Sequence, residues 1–218
     1  MQALVLSRRN FREADQIISL YTKEKGKLEV LARGVKKITS KNAAHLEPFS
    51  LVEVEIIPGK ELAHLGAVQP INYFVNIRRD LQKSLAAGYV VGLLNKILHE
   101  GEKDERLFNF TIAWLTFVNI SLDLNLSLFV DCYIVKLLYC LGFDIIQSEN
   151  LSLELKKDLE ILGSGDWQRI EDQKITRFAP KDGSSTGEKD YDKLHDLIYK
   201  FLVHHLERKI KDWSPLIK

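Results

Sequence analysis

The sequence predicts an α+β protein, a small five-stranded β-barrel at the N-terminus followed by a mainly α-helical domain. Two observations carry this. Up to about Asn72 the apolar residues come in short pieces with period two, separated by turn formers; after Tyr73 they come in long pieces with helical period. The change of period places the domain boundary between residues 75 and 76, giving a barrel over 1–75 and a helical domain over 76–218.

The expected strands cover residues 3–6, 17–22, 28–33, 51–57 and 62–67, each rich in Val, Ile and Leu. Arg8-Arg9-Asn10, Lys25-Gly26-Lys27, Gly34 with Lys36-Lys37, and Pro58-Gly59-Lys60 mark the turns between them. Val52, Val54 and Ile56 alternate with Glu53 and Glu55, so the fourth strand has an apolar and a charged face. Five short strands in so few residues suggest a closed barrel of the oligonucleotide-binding (OB) type; SH3-like barrels have similar strand counts.

The expected helices cover 77–100, 104–122, 125–141, 150–162 and 190–211. Asp104 and Asn125 are N-cap residues, Gly142 is a left-handed cap ending the third helix, and Pro215 stops the last one. Residues 85–98 and 126–141 are apolar nearly all round, as central helices of a bundle are. The stretch at about 163–189, with GSGDW and DGSSTGEK, reads as an irregular or hairpin insertion.

Composition narrows the function. The chain has 218 residues, 45% of them hydrophobic, with 31 basic against 30 acidic, which is the make-up of a folded chain. The longest uncharged stretch, 107–122, falls short of a spanning helix and carries Asn109 and Asn119. The start, MQALVLSRRNF, has its basic residues after the apolar run, the reverse of a secretory signal, so the expected place is the cytoplasm. Cys132 and Cys140 are too few for a four-cysteine zinc site and lie in an apolar helix; no metal and no cofactor is expected.

No catalytic constellation stands out. Gly26-Lys27 lacks the upstream glycine of a phosphate loop, Gly163 and Gly165 lack the third glycine of a dinucleotide loop, and Ser164 is in no nucleophile elbow. His195 and the adjacent His204 and His205 read as core or solvated residues, and the acids are scattered. The chain is therefore read as a non-enzyme with no catalytic residue.

What remains is local charge. Residues 1–80 hold 13 Lys and Arg against 9 Asp and Glu, residues 81–218 hold 18 against 21, and residues 1–41 alone hold 10 against 4. Around the second and third strands Lys23, Lys25, Lys27, Arg33, Lys36, Lys37 and Lys41 face only Glu24 and Glu29. Lys25, Lys27, Arg33, Lys36, Lys37 and Lys41 are the candidate nucleic-acid-binding set, tracking a phosphate backbone without reading sequence. Tyr21 and Phe49 are core residues that could alternatively offer faces to bases.

Four linked pieces then resemble a family. Phe11-Arg12-Glu13-Ala14-Asp15, Thr22 with Gly26-Lys27, Ala32-Arg33-Gly34 with Lys36-Lys37 and Ser40, and Leu46 with Pro48-Phe49 are similar in order and spacing to the N-terminal domain of the RecO recombination-repair proteins. Leu141-Gly142-Phe143 and the basic close at Arg208-Lys209 and Lys211 resemble its second half more loosely. The resemblance implies an OB barrel on a helical body, binding single- and double-stranded DNA, annealing complementary strands, and acting at the nucleoid. It implies as partners RecR, often RecF, the single-strand-binding protein and the RecA recombinase. Many members carry a four-cysteine zinc module after the Leu-Gly-Phe segment; residues 143–180 contain no cysteine, so no zinc module is expected. Arg208, Lys209, Lys211 and Trp213, read as a basic rim beside an exposed aromatic, are the candidate partner-binding set for the acidic, apolar tail of single-strand-binding protein. Two other readings of the same pattern are a helical protein-interaction adaptor with a purely structural barrel and an RNA-binding factor.

Overall fold

All five short segments form strands: β1 (Gln2–Asn10), β2 (Gln16–Thr22), β3 (Gly26–Ala32), β4 (Leu51–Ile57) and β5 (Ala63–Asn72). The computed structural model describes residues 1–38, 40–122, 124–147, 151–167, 170 and 185–215, without the side chains of 185–190. The strands close into a barrel in the order β1-β2-β3-β5-β4, with β3 and β5 parallel and the other neighbours antiparallel. This is the OB arrangement. Ala3, Val5, Ile18, Leu20, Val30, Val52, Val54 and Val68 point inward, while Glu53 and Glu55 stay exposed as their alternation requires.

Two strands run past their expected ends. Arg8, Arg9 and Asn10 are in β1, opposite Ile18, Ile17 and Gln16, and not in a turn. Cross-strand pairing holds them there, and their charges are met at the surface by Arg8 with Glu47 at 2.6 Å and Arg9 with Glu29 at 2.9 Å. β5 likewise continues to Asn72 along β4.

The expected helix over 77–100 is two helices, α1 (Val75–Arg79) and α2 (Leu81–Ile97). Asp80 between them is extended, and its carboxylate accepts from the Lys83 N–H at 3.0 Å, so an acid at the right place starts a new helix. α3 (Glu105–Ile120) begins at the expected cap, where Asp104 accepts from the Leu107 N–H at 3.0 Å. These helices dock on the outer face of β1 to β3. Ser19 donates to the Asn95 side chain at 2.7 Å, which donates to Ser7 at 3.1 Å; the Tyr21 hydroxyl donates to the Asp104 carbonyl at 2.8 Å. The compact units accordingly are Met1–Asn119 and Ile120–Lys218, a division later than the change of period at 75. α2 is less central than its composition suggests, since Leu81 and Leu85 are exposed.

In the second unit α4 (Leu126–Cys140) is the central helix, with Leu128 to Val135 buried without interruption. Asn125 caps it, accepting from the Leu128 N–H at 3.2 Å. Gly142 at φ +89° ends it, with the Phe143 N–H reaching back to the Leu138 carbonyl at 2.9 Å. α5 (Leu153–Gly163) is capped by Ser152, and the expected start at Asn150 lies outside the described residues. α6 (Ser185–Leu206) begins and ends earlier than expected, and its end is set by Glu207, which at φ +47° leaves the helical region well before Pro215. The insertion at 163–189 is shortened at both ends by α5 and α6, and its middle, 171–184, lies outside the described residues.

α6 and the segment behind it are tied to α4 by a trio of ionisable groups, of which Asp131 and His195 are buried and Asp212 is half-exposed. His195 faces Asp131 with Nδ1 at 3.0 Å and Asp212 with Nε2 at 2.9 Å, and Tyr191 donates to Asp131 at 2.7 Å. Burial acts to lower the imidazole's affinity for its proton, but hydrogen bonding to and attraction by Asp131 and Asp212 outweigh it and push His195 up to about 9. Burial pushes Asp131 up against the pull of His195 and Tyr191. For Asp212 burial is outweighed by the Ser214 N–H and His195, and its carboxyl is held low.

Gly26 takes φ +69° on the β2–β3 turn, and a Cβ there would stand 2.1 Å from the Glu102 carbonyl oxygen. Gly26→Ala is expected to cost about 3 kcal/mol in denaturant unfolding; a change below about 0.5 kcal/mol would contradict the packing of this turn on the backbone at Glu102. His195 holds its proton more tightly folded than unfolded, so its contribution is whole below about pH 6.5 and is lost as the pH rises through about 9. Melting temperature should fall across that window by the equivalent of about 2 kcal/mol, and His195→Gln should flatten the slope.

Candidate nucleic-acid interface

The four-part motif of the first fifty residues becomes one surface because two loops are clasped together. The β1–β2 loop, residues 11–15, closes on itself through the Phe11 N–H to the Asp15 carbonyl at 3.2 Å. The chain leaving β3 is then tied to it: the Gly34 N–H donates to the Asp15 carboxylate at 2.8 Å, and the Lys36 N–H donates to the Ala14 carbonyl at 3.0 Å. Gly34 sits at φ +63°, which lets the chain turn sharply enough to be caught. Val35 drops into the barrel core and pins the loop from inside. With Val35 pointing in, Arg33, Lys36, Lys37 and Lys41 are left on the exposed side.

Beside the clasp lies a cleft of about 300 Å³. Three cations stand around it, Arg12 from the β1–β2 loop, Arg33 from the end of β3 and Lys60 from the β4–β5 loop. Phe11, Leu31 and Leu62 supply apolar walls, and Glu61 and His64 complete it. Arg33 Nη2 lies 3.3 Å from His64 Nε2 across the parallel β3–β5 pair, and the Arg12 guanidinium lies 5.1 Å from the Phe11 ring centre. His64 Nδ1 is buried and has no hydrogen-bond partner among the described residues.

Of the six candidate cations Arg33, Lys36, Lys37 and Lys41 are exposed on the chain leaving β3, and Arg33 lines the cleft. Lys25 is exposed on the β2–β3 turn. Lys27 does not belong to the surface: it lies on β3 facing the docked helix, and its ammonium donates to the carbonyls of Asn95 and Leu98 at the C-terminus of α2. Lys23 pairs with Glu105 at 3.1 Å. Tyr21 is fully buried against the Phe108 ring edge, 5.6 Å between centres, and offers no face to a base. Phe49 is half-buried with the Arg78 guanidinium 4.2 Å over its ring. Sequence reasoning missed Arg12, Lys60 and Phe11. The signal for the first and last lay in the motif Phe11-Arg12-Glu13-Ala14-Asp15, whereas Lys60 was spent on marking a turn.

The partner set is corrected at its aromatic. Arg208, Lys209 and Lys211 are exposed in irregular chain after α6, but Trp213 is fully buried, edge-on to His195 at 4.7 Å and to Tyr199 at 5.8 Å between ring centres. An apolar residue so placed belongs to the core of the second unit and cannot anchor a peptide from solution. Cys132 is fully buried, and burial pushes its thiol up and away from the thiolate form. Among the described residues no group of three or more His, Cys, Asp or Glu is arranged to hold a metal ion, and no helix is long and apolar enough to cross a membrane.

Comparison with known proteins gives two family matches. The model described as recombination protein O N terminal matches residues 1–74, and that described as recombination protein O C terminal matches residues 78–149. Curated relatives called DNA repair protein RecO are similar to the chain. The one from Thermoanaerobacter sp. (strain X514) is 32% identical over 142 residues, 65% of this chain and 57% of that protein. The one from Geobacter sulfurreducens is 34% identical over 114 residues, 52% of this chain and 47% of that protein. The one from Syntrophomonas wolfei is 28% identical over 165 residues, 76% of this chain and 65% of that protein. The matched regions thus span 47% to 65% of the length of these relatives.

The two kinds of lysine separate in experiment. Lys27→Met, which uncovers the carbonyls at the end of α2, is expected to lower stability by about 1–2 kcal/mol in denaturant unfolding, whereas Lys36→Ala with Lys37→Ala stays within about 0.5 kcal/mol. The reverse order would place Lys27 on the open surface.

Proposed function

Because this chain belongs to the RecO family, we propose that it is a recombinational DNA repair mediator whose barrel binds single- and double-stranded DNA through phosphates. The observation that carries the reading is the clasp of the β1–β2 loop to the basic loop after β3, which ties the backbone at Gly34 and Lys36 to Asp15 and Ala14, with Arg33, Lys36, Lys37 and Lys41 exposed and Arg33 sharing one cleft with Arg12 and Lys60. Cations carried on a backbone that the fold already holds gain from releasing the counterions of a nucleic acid with less of the chain left to order.

On this reading the chemistry is electrostatic and no bond is made or broken. Two complementary strands repel each other; cations bound along one backbone screen that repulsion and let the strands pair. Annealing would follow, and with it help in loading RecA onto DNA covered by single-strand-binding protein, in company with RecR and RecF. The exposed strip of Arg208, Lys209 and Lys211 is the surface we assign to an acidic segment of a protein partner, by charge alone now that Trp213 is in the core. A protein of this kind would work at the nucleoid in the cytoplasm.

Titration of labelled single-stranded DNA at several salt concentrations tests the reading. If about five cations meet phosphates, log affinity should fall with log salt at a slope of roughly −3.5. Lys36→Glu with Lys37→Glu should weaken all DNA sequences alike, and Lys27→Met should weaken none. Unchanged affinity in the double variant would remove the loop from the interface. A marked preference for RNA of the same sequence would favour an RNA-binding protein.

A further inference from the structure

We infer that the cleft between the β1–β2 and β4–β5 loops receives one unstacked base of a single strand, and that Glu61 makes it favour bases carrying an exocyclic amine. This rests on the reading of the barrel as a DNA-binding surface, and it adds a base preference to a site otherwise made of phosphate contacts.

Size, wall chemistry and hydrogen-bonding capacity point the same way. The volume, about 300 Å³, stands at the lower end of the range of small-molecule pockets, about 300–1,000 Å³, so the cleft takes a fragment such as a single base and excludes a base pair within a duplex. Phe11, 44% exposed, stands with Leu31 and Leu62 as an apolar wall beside the cations Arg12, Arg33 and Lys60. Rings stack on aromatic and guanidinium faces, and phosphates lie against cations, so a nucleotide matches both halves of the cleft at once. A peptide of acidic residues alone would match only the second.

Selectivity comes from the remaining groups. The cations are donors only, and His64 has Nε2 turned to Arg33 and Nδ1 buried. Glu61 is the acceptor left among the lining side chains. A carboxylate accepts well from the amino group of cytosine, as it does from cytosine N4 in duplex readout. Thymine offers it one N–H between two carbonyl oxygens that repel the negative charge. Cytosine should therefore be held more tightly than thymine, and the two compare fairly because both stack weakly in single strands.

The test is binding of the full chain to dC and dT homopolymers of equal length at one salt concentration. Wild type should prefer oligo(dC) about fivefold, the value of one hydrogen bond. Glu61→Gln should erase the preference, because an amide both accepts from cytosine and donates to the thymine carbonyl. Glu61 is exposed on a loop, so that variant should fold normally. Phe11→Ala should weaken both homopolymers about tenfold. Equal binding of oligo(dC) and oligo(dT) by the wild type, a preference that survives Glu61→Gln, or unchanged affinity in Phe11→Ala would each overturn the inference while leaving DNA binding intact. Failure to bind either homopolymer would instead overturn the DNA-binding reading beneath it.

Discussion

The parallel pairing of β3 with β5, Val30 opposite Ala63 and Leu31 opposite His64, is the constraint on which the first unit depends. Antiparallel neighbours can be joined by tight turns, as β1 to β2 and β2 to β3 are; parallel neighbours cannot. The chain leaving β3 has to travel round the end of the barrel before β4 and β5 can close it. That passage carries Lys36, Lys37 and Lys41 on one side and drops Val35 and Leu46 into the core on the other. Barrel closure and the placing of charge are thus a single requirement met by one segment, and Asp15 and Ala14 hold it in its path.

Much of this was legible in the sequence, and for identifiable reasons. Strand positions could be read because Val, Ile and Leu alternate, and Asp104, Asn125 and Gly142 could be read as helix ends because each has a local backbone role that depends on few neighbours. Where tertiary packing decided, the reading failed. Arg8, Arg9 and Asn10 look like a turn but are drawn into β1 by the strand beside them. Trp213 follows a basic run and looks exposed, yet it closes the core around His195, which no local pattern announces.

The candidate site was legible as a charge excess but not as a geometry. Lys27 and Lys36 are indistinguishable by composition. One faces outward from a strand that a helix covers, so its ammonium is taken up by helix carbonyls; the other sits on a loop whose inner side is already filled by Val35. The cleft needed Lys60 and Glu61 brought from the far side of β4 to meet Phe11 and Arg12, a meeting that only the closed barrel produces.

The docking of α2 and α3 on β2 and β3 bears on how freely this barrel can be moved between proteins. OB barrels are commonly treated as portable modules, but here Ser19, Tyr21 and Lys27 on the outer face take their partners from Asn95, Asp104 and Leu98. A fragment cut at residue 75 would strand three polar groups and bare an apolar flank. The compact unit that keeps all three of these contacts is the whole of Met1–Asn119. Amide hydrogens of β2 and β3 should exchange with solvent in the same cooperative opening as those of α2, so that barrel and helices melt as one unit rather than as a domain with an attachment.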